Sequence, residues 1–209
     1  TINRIQEADP DFIVSMLVGS NHQAFYDQRA AAGIDGIPIA TSTELAQGYE
    51  HLRLDPPAMD GVYAGVNYVQ EIDTSANEDF VSAMEERWGD DLEYVNQECE
   101  NNYFSVYMWR DAVEEAGTFD QEEVKSVLEE GMDVSAPEGD VSLDGATHHM
   151  THNMRIMRCD DGHSISFVGE EELIEPTFLR EDVGCNLPEE DEETQYFPSD
   201  FYDLPFQDV

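Results

Sequence analysis

Three histidines in the later part of the chain have the most recognisable metal-ligand spacing. His148, His149 and His152 form an HHxxH pattern, which on a helix would offer two imidazoles to a zinc ion. Here they lie among strand-like residues, and no glutamate stands where HExxH has one. A structural or solvent-exposed role is therefore favoured, and we predict no metal site and no cofactor.

No other combination of residues indicates catalysis. The sequence has no Gly-rich phosphate loop, no nucleophile elbow and no CxxC pair. Paired carboxylates are uninformative in a chain with 48 aspartates and glutamates. Cys99, Cys159 and Cys185 follow no regular spacing, and their odd number does not reveal a redox compartment. We expect a protein that is not an enzyme.

Hydroxyl and amide side chains instead gather where predicted strands end. The apolar run Phe12 to Val18 is typical of a strand buried on both faces of a parallel sheet, and Gly19-Ser20-Asn21 follows it. Pro38 to Thr43 is the next short strand, continued by Glu44. In open α/β sheets ligands bind beyond the carboxyl ends of the strands, so both loops are predicted to face a cleft. Ordinary turn and helix-cap chemistry is the alternative.

The elements around these loops form a β-α-β unit. Ser20 or Asn21 caps a helix that runs to about Ala32, and the two strands should be parallel with a right-handed crossover. Gly61 to Tyr68 is predicted as a third strand, because small or β-branched residues alternate with aromatics. The polar corner at residues 73–77 then takes the chain from one lobe towards another, a place where ligands are usually held.

After this corner the pattern becomes helical and then returns to strands. Helices are predicted over residues 77–88 and 102–116 and from Asp120, where Glu123 completes a capping box. Strands are predicted over residues 140–143, 154–159 and 164–168, with a hairpin turn at Asp161-Gly162. The last residues, 181–209, form an acidic tail rich in aromatics.

The charge balance is unusual for a chain that is 40% hydrophobic and should fold. The 48 aspartates and glutamates face nine basic residues, of which Lys125 is the one lysine, so the formal net charge is −39. Such self-repulsion is screened at about 1 M salt, where the Debye length is roughly 3 Å. We therefore expect a halophilic source, an archaeon in molar salt, with an ordinary acidic protein or a nucleic-acid mimic as alternatives. The absence of a basic stripe excludes a nucleic-acid binder.

Several unlinked motifs carry a resemblance to a known family. They are the crossing at Asn67, Tyr68, Asp73 and Asn77 and the segment at Ala136, Pro137, Glu138, Gly139, Val141, Asp144 and His149. From Thr1 to about Arg180 the chain resembles the carboxyl-terminal half of the urea and short-chain-amide binding proteins. These have the type I periplasmic-binding-protein fold and deliver substrates to ABC transporters, and an amide-sensing regulator shares the fold.

The resemblance implies an α/β fold of two lobes, each a parallel sheet with helices on both faces, joined by hinge crossings. Residues 1–72 would be the later part of the second lobe, and residues 73–135 would be helices that complete the first lobe. Residues 136–180 would return to the second lobe as a hairpin, and residues 181–209 lie outside the resemblance. The opening strands of the first lobe are missing, so we expect an incomplete fold whose amino-terminal lobe another polypeptide supplies, or a truncated form.

The resemblance also implies which residues contact a ligand. A hydroxyl-bearing residue after the PIATST-like strand contacts the amide in the family, which corresponds best to Thr43, with Thr41 and Ser42 beside it. Tyr68, at the end of the hinge strand, is the next candidate. Gly19 and Ser20 of the cleft wall and Asn67 of the crossing complete the predicted ligand-binding residues.

The function implied is that of a non-catalytic, extracytoplasmic solute-binding protein for urea, amides or related polar solutes, membrane-anchored in its full-length form. Its partners would be the solute, an ABC permease or the missing lobe, and a further copy of itself as a homo-oligomer, with no nucleic acid. One alternative is a cytoplasmic amide-sensing regulator of the same fold. Another is an interaction protein, a half-fold that has lost ligand binding.

Overall fold

The computed structural model describes residues 1–19 and 21–189 as a mixed α/β protein. The helices are α1 (Ile2–Ala8), α2 (Asn21–Ala31), α3 (Glu50–Arg53), α4 (Ser75–Trp88), α5 (Gln97–Ala116) and α6 (Gln121–Glu129). The strands are β1 (Ile13–Ser15), β2 (Ile39–Thr41), β3 (Val62–Val66), β4 (Met132–Ala136), β5 (Gly139–Asp144), β6 (His149–Cys159) and β7 (Ile165–Ile174). They build two compact units, which we describe separately.

The first compact unit contains the parallel strands. It consists of Thr1–Phe104, Ala136–Gly139 and Asn153–Glu172. β1, β2 and β3 are parallel neighbours, with Ile13 opposite Ile39 and Ile39 opposite Val62. β3 pairs antiparallel with β6, which also pairs with β7. The predicted parallel β-α-β unit and the α/β fold are therefore confirmed.

The core of this unit lies against one face of the strands. Along β3 the buried residues Val62, Ala64 and Val66 alternate with half-buried ones, as the two-residue period of a strand requires. Side chains from α2 and from the loop after β2, including Tyr26 and Leu45, pack on this buried face. Full burial of such a large apolar side chain contributes about 1.5–3 kcal/mol to folding.

β1 differs from its prediction in length and burial. The strand covers three residues, and most of the apolar side chains of the run Phe12 to Val18 are exposed. The expectation that this run is buried on both faces is wrong. In the described chain β1 is the first strand of its sheet and pairs with β2 alone, and one of its faces, with Val14, is exposed while Ser15 on the other is buried.

α4 and α5 begin earlier than predicted because a polar residue caps each start. The Thr74 hydroxyl accepts the N–H of Asn77 at 3.1 Å, so α4 starts at Ser75. The side chain of Asn96 accepts the N–H of Cys99 at 2.9 Å, ahead of the predicted start of α5. The apolar stripes on which the predictions rest begin later than these caps.

The second compact unit consists of Ser105–Ser135, Asp140–His152 and the described residues from Leu173 onwards. Asp120 caps α6 as predicted, since its carboxylate accepts the N–H groups of Glu122 and Glu123 at 3.1 and 3.3 Å. β5 pairs antiparallel with the start of β6 and also with β4. β4 was not predicted, because its alternating pattern is short and includes Asp133, a residue that strands disfavour.

Within the part of the chain that the structure describes, no helix has both the length and the apolar character needed to cross a membrane. The predicted acidic tail lies outside the described residues from Glu190 onwards. The lobe boundaries at residues 72, 135 and 180 stay predictions.

Candidate functional site

The carboxyl ends of β1 and β2 carry the polar side chains that were predicted to face a cleft. Ser15 lies opposite Thr41 in the parallel pair, so the residues after each strand leave the sheet at the same edge. These are residues 16–19 after β1 and residues 42–44 after β2. Hydroxyl groups from both strands meet there on the carboxylate of Glu44.

Glu44 is fully buried and is held by three hydroxyls. Ser15 Oγ donates to its Oε1 at 3.1 Å, Thr43 Oγ1 donates to its Oε2 at 2.8 Å, and Thr41 Oγ1 donates to the same oxygen. Burial raises the pKa of Glu44, and the hydrogen bonds from Thr43 and Ser15 oppose the rise. The pKa of the buried Tyr26 phenol is raised by desolvation and by the charge of Glu44. Hydroxyls thus take the place of a basic partner.

Thr43 stands between the buried carboxylate and the exposed loop after β1. Its N–H donates to Thr41 Oγ1 at 3.1 Å. Its hydroxyl lies 3.1 Å from the carbonyl oxygen of Leu17 and 2.8 Å from Glu44 Oε2. One hydroxyl proton satisfies one of these two acceptors at a time, so an acceptor remains for the N–H group of a ligand.

A second buried carboxylate, that of Glu50, fastens the loop after β2. Its Oε2 accepts the N–H of Leu45 at 2.8 Å, and its Oε1 lies 2.9 Å from His22 Nε2 on α2. Gly48 is required beside it, because a Cβ at that position would lie 1.8 Å from Glu50 Oε1. The loop that carries Thr43 and Glu44 is therefore held by Glu50, whose carboxylate lies beside α2.

The remaining residues of the predicted cleft wall lie at its rim. Ser42 is exposed, and its hydroxyl lies 3.5 Å from the sulfur of Met16. Gly19 is exposed and has a φ of +89°, a conformation that glycine adopts readily. Ser20 lies outside the described residues. The structure brings Thr41 and Thr43 together, and contact of any of these residues with a ligand stays a prediction.

Tyr68 leaves the sheet at the same edge, because β3 is parallel to β2. It is fully buried, which raises the pKa of its phenol, and its hydroxyl donates to Asn77 Oδ1 at 2.7 Å. Asn77 Nδ2 donates to the carbonyl oxygens of Gln70 and Ile72 at 2.9 and 2.7 Å. The observed role of Tyr68 is to hold the corner before α4, and its role as a ligand contact stays a prediction.

Asn67 belongs to a different buried network. Its Nδ2 donates to Glu138 Oε1 at 2.9 Å and to Asn101 Oδ1 at 3.0 Å. Glu138 Oε2 accepts the N–H of Asn153 at 3.3 Å. Arg155 donates to the carbonyl oxygens of Asn67 and Glu138 at 2.8 and 2.9 Å. The network joins the end of β3, α5, the turn between β4 and β5, and β6.

The edge formed by β1 and β2 suits recognition of a ligand. It offers hydroxyl, carbonyl and carboxylate oxygens, and residues 12–25 and 38–52 include no lysine or arginine. Among the described residues no group of His, Cys, Asp and Glu side chains is placed to hold a metal ion. His148 of the HHxxH pattern lies 3.3 Å from Glu129. An oxygen-rich edge without a lysine or arginine can accept the N–H groups of a neutral ligand.

Several residues that build this edge were not predicted: Ser15, His22, Tyr26 and Glu50. The structural role of Arg29 was also not predicted. The composition offers one signal for it, because lysine and arginine are rare in this chain, with nine residues in total. Arg29 is fully buried and donates to the carbonyl oxygens of Ala58 and Ile37 at 3.0 and 2.9 Å. In so acidic a chain, a basic residue inside a predicted helix indicates a structural contact.

No curated protein matches the chain, but solved structures share its fold. One is the solute-binding protein of an ABC transporter from Rhodopseudomonas palustris BisB5, in complex with 3,4-dihydroxybenzoic acid. It superposes with a TM-score of 0.72 at 20% identity, and the match covers 84% of this chain and 49% of that one. At this identity the likeness shows the fold alone.

Two further solved structures share the fold of this chain. The amino acid ABC transporter substrate-binding protein from Pseudomonas fluorescens Pf-5 has a TM-score of 0.71 at 18% identity, covering 89% of this chain and 50% of that one. The closed conformation of the leucine-, isoleucine-, valine-, threonine- and alanine-binding protein from Brucella ovis has a TM-score of 0.69 at 16% identity, covering 84% and 47%. The chain spans about half the length of each of these proteins.

The sequence model of one family, the periplasmic binding proteins, matches residues 1–164. This range includes the parallel strands, the hydroxyl cluster on Glu44 and the buried network around Asn67. Because the match extends over more than half of the 209 residues, the chain belongs to the periplasmic binding protein family.

Proposed function

We propose that this protein is a solute-binding component of an ABC transporter and that it takes urea, short-chain amides or related small polar solutes. The observation that carries the proposal is the convergence of the Ser15, Thr41 and Thr43 hydroxyls on buried Glu44. It lies at the edge of a parallel sheet where α/β proteins bind ligands. Membership of the family supports binding without catalysis.

The charge at this edge supports a neutral ligand. The related structures include binding proteins for an aromatic acid and for amino acids. Both ligand classes carry a carboxylate, which cationic donors hold best. Residues 12–19 and 38–43 of this chain carry no charge, and the imidazole of His22 faces Glu50. A planar amide can donate to the Leu17 carbonyl and to Thr43 without a counter-charge. A ligand that buried one of these groups without pairing it would lose about 1–3 kcal/mol.

The proposed partners and location follow from the proposed function. A solute-binding protein passes its ligand to an ABC permease at the outer face of the membrane. We propose an extracytoplasmic location, a membrane anchor in the full-length product, and an amino-terminal lobe that helps to enclose the solute. The acidic composition supports a protein that functions at high salt concentration.

Calorimetric titration in about 1 M KCl, where surface charge is screened, tests the ligand class. Urea, acetamide and formamide are the test ligands, and benzoate and leucine are the comparison ligands. We expect binding of at least one neutral amide and none of benzoate or leucine. Binding of benzoate or leucine alone would contradict the proposal.

A Thr43 variant tests whether the proposed edge contacts the ligand. Thr43→Val keeps the shape of the side chain and removes its hydroxyl, so amide affinity should fall about three- to tenfold. Ser126→Ala is the control, because the Ser126 hydroxyl donates to the carbonyl of Glu122 at an exposed position of α6. Unchanged affinity in Thr43→Val would show that the ligand lies elsewhere.

A second candidate function is protein interaction through the half-fold, without solute binding. The exposed apolar side chains around β1 favour it, because soluble proteins seldom leave such a group uncovered. No heat of binding with any of the five ligands, for a chain that is folded, would support this candidate.

A further inference from the structure

An apolar pocket lies within the second compact unit, between α5, α6 and the end of β5. Its volume is about 460 Å³. Pockets that hold a ligand usually measure about 300–1,000 Å³. Trp109 is 51% exposed and Phe119 is 80% exposed, so the pocket is open in the described part of the chain. The apolar lining consists of Trp109, Val113, Phe119, Val124, Leu128 and Leu143.

The described chain ends beside this pocket. The N–H of Leu187 donates to the carbonyl oxygen of Ala146 at 2.8 Å. Ala146 lies in the turn between Leu143 and His148, and both of these residues line the pocket. Each further residue extends a chain by at most about 3.3–3.6 Å. Residues 190–209, which follow this anchor closely in sequence, therefore begin near the pocket.

Residues 190–209 contain the side chains that such a pocket accepts. The segment starts with four acids, at residues 190–193, and has no basic residue. Aromatic rings bury a large apolar area and pack well on other rings, such as those of Trp109 and Phe119 in the pocket. The aromatics of the segment are Tyr196, Phe197, Phe201, Tyr202 and Phe206.

The polar part of the pocket lining includes two groups that can carry positive charge, Lys125 and His148. Lys125 is the one lysine of the chain. Lys125 Nζ already lies 3.2 Å from Glu122, and His148 Nε2 lies 3.3 Å from Glu129. These two groups reduce the repulsion that an acidic segment meets here, while apolar burial supplies the attraction. Docking should therefore be strongest in molar salt, where the remaining repulsion is screened.

We propose that Tyr196 and Phe197 occupy this pocket and that residues 188–195 connect them to the anchor at Leu187. They are the first aromatics after the anchor, and the loop that brings them back is shorter than the one that Phe206 would need, so its closure costs less entropy. A segment on a short tether has an effective concentration in the millimolar range, which favours it over a second copy of the chain. The inference holds whichever solute is bound.

The two tryptophans of the chain provide the test. Trp88 on α4 is 50% exposed and Trp109 is 51% exposed, so an empty pocket predicts equal quenching of both by acrylamide, which is uncharged. The single-tryptophan chains Trp109→Phe and Trp88→Phe are compared in about 1 M KCl. With the pocket occupied for most of the time, Trp109 should be quenched at least about twofold less than Trp88. Equal quenching overturns the proposal.

Substitutions in the segment identify the occupant. In the Trp88→Phe chain, Tyr196→Ser combined with Phe197→Ser should raise the quenching of Trp109 at least about twofold. Phe206→Ser is the matched control, because it removes an aromatic from the same segment, and it should leave the quenching unchanged. Circular dichroism checks that each variant folds. No effect of the double substitution, or an equal effect of Phe206→Ser, overturns the proposal.

A peptide of residues 190–209 separates occupation of the pocket from an indirect effect of the substitutions. Added to the double variant in the millimolar range, it should restore the protection of Trp109, and the same peptide with Tyr196→Ser and Phe197→Ser should not. Restoration by both peptides, or by neither, overturns the proposal. Protection that increases with protein concentration and persists in the double variant would assign the pocket to a second copy of the chain and also overturn it.

Discussion

The carboxylate of Glu100 accepts the backbone N–H of Glu138 at 3.2 Å, so two fully buried glutamates meet in the first compact unit. Glu138 accepts from Asn67 and Asn153 through its two oxygens. Glu100 Oε2 has no hydrogen-bond partner among the described residues. Burial, and then the charge of Glu138, raises the pKa of Glu100 to about 8. Of this pair, Glu100 is therefore the carboxyl group that stays protonated at neutral pH.

The pKa of Glu100 predicts a loss of stability at alkaline pH. Its ordinary pKa is 4.5 and its pKa in the folded protein is about 8. Between these values the folded state keeps a proton that the unfolded state has lost, so the free energy of unfolding falls as pH rises, by at most on the order of 1 kcal/mol per pH unit. Above the folded pKa the contribution is constant. Thermal melting from about pH 5 to pH 9 measures it.

The Glu100→Gln variant distinguishes the pH dependence caused by Glu100 from that of the other carboxylates. The variant cannot ionise, so its melting temperature relative to the wild type should increase from pH 5 to about pH 8 and then level off. Glu98→Gln, at an exposed position of α5, is the matched control and should show no such trend. A constant difference between wild type and Glu100→Gln across this range would contradict the assignment.

The hydrogen bond between Tyr68 and Asn77 predicts that Tyr68→Phe changes stability more than it changes solute affinity, because the hydroxyl is used by Asn77 and the ring is kept. The variant leaves Asn77 Oδ1 buried without its donor, which should cost about 1 kcal/mol of the free energy of unfolding. Thr43→Val should weaken amide binding and also lower stability, because the Thr43 hydroxyl donates to the buried carboxylate of Glu44. Melting and calorimetric titration of both variants measure this. Lost affinity with unchanged melting in Tyr68→Phe would make Tyr68 a ligand contact.

Features set by local sequence were predictable, and features that need a distant partner were not. The β-α-β unit follows from apolar runs separated by a capped helix, and it places Thr41 and Thr43 at the carboxyl edge. The burial of Phe12 to Val18 depends on what covers β1, which the run itself does not encode. The contact between Glu100 and Glu138 joins residues 38 positions apart, and no local pattern reveals such a pair.

The candidate site was likewise predictable only where local sequence sets it. The sequence places a hydroxyl cluster after β2, but the partner of its hydroxyls depends on how the loop folds. Glu44 turns inward to meet Ser15, and Glu50 turns inward to meet His22. In a chain with 48 acids, composition cannot show which carboxylates are buried.

The net charge of −39 predicts strong stabilisation by salt. The Debye length falls from about 30 Å at 0.01 M salt to about 3 Å at 1 M, which screens repulsion between the surface acids. The melting temperature should therefore rise steeply with KCl. Sucrose is the control, because it is excluded from protein surfaces without screening charge. A flat dependence on KCl, or an equal rise in sucrose, would remove the argument for a halophilic protein.

Gly48→Ala is predicted to loosen the loop that carries Thr43 and Glu44. The added Cβ would lie 1.8 Å from Glu50 Oε1, and Glu50 cannot move aside freely because its Oε2 holds the Leu45 N–H at 2.8 Å. Overpacking and the lost hydrogen bond should together cost about 1–3 kcal/mol of the free energy of unfolding. Thermal melting in molar KCl measures the loss.

Two further variants make the Gly48 prediction specific. Gly36→Ala is the matched control, because a Cβ there would meet nothing within 4 Å, and it should be neutral or slightly stabilising. In a Glu50→Ala background the Gly48→Ala substitution should cost much less, since the atom that it would strike is absent. If the cost is the same in both backgrounds, the contact between Gly48 and Glu50 does not hold the loop. Amide affinity should fall in parallel with stability in Gly48→Ala, because the same loop positions the Thr43 hydroxyl beside Leu17.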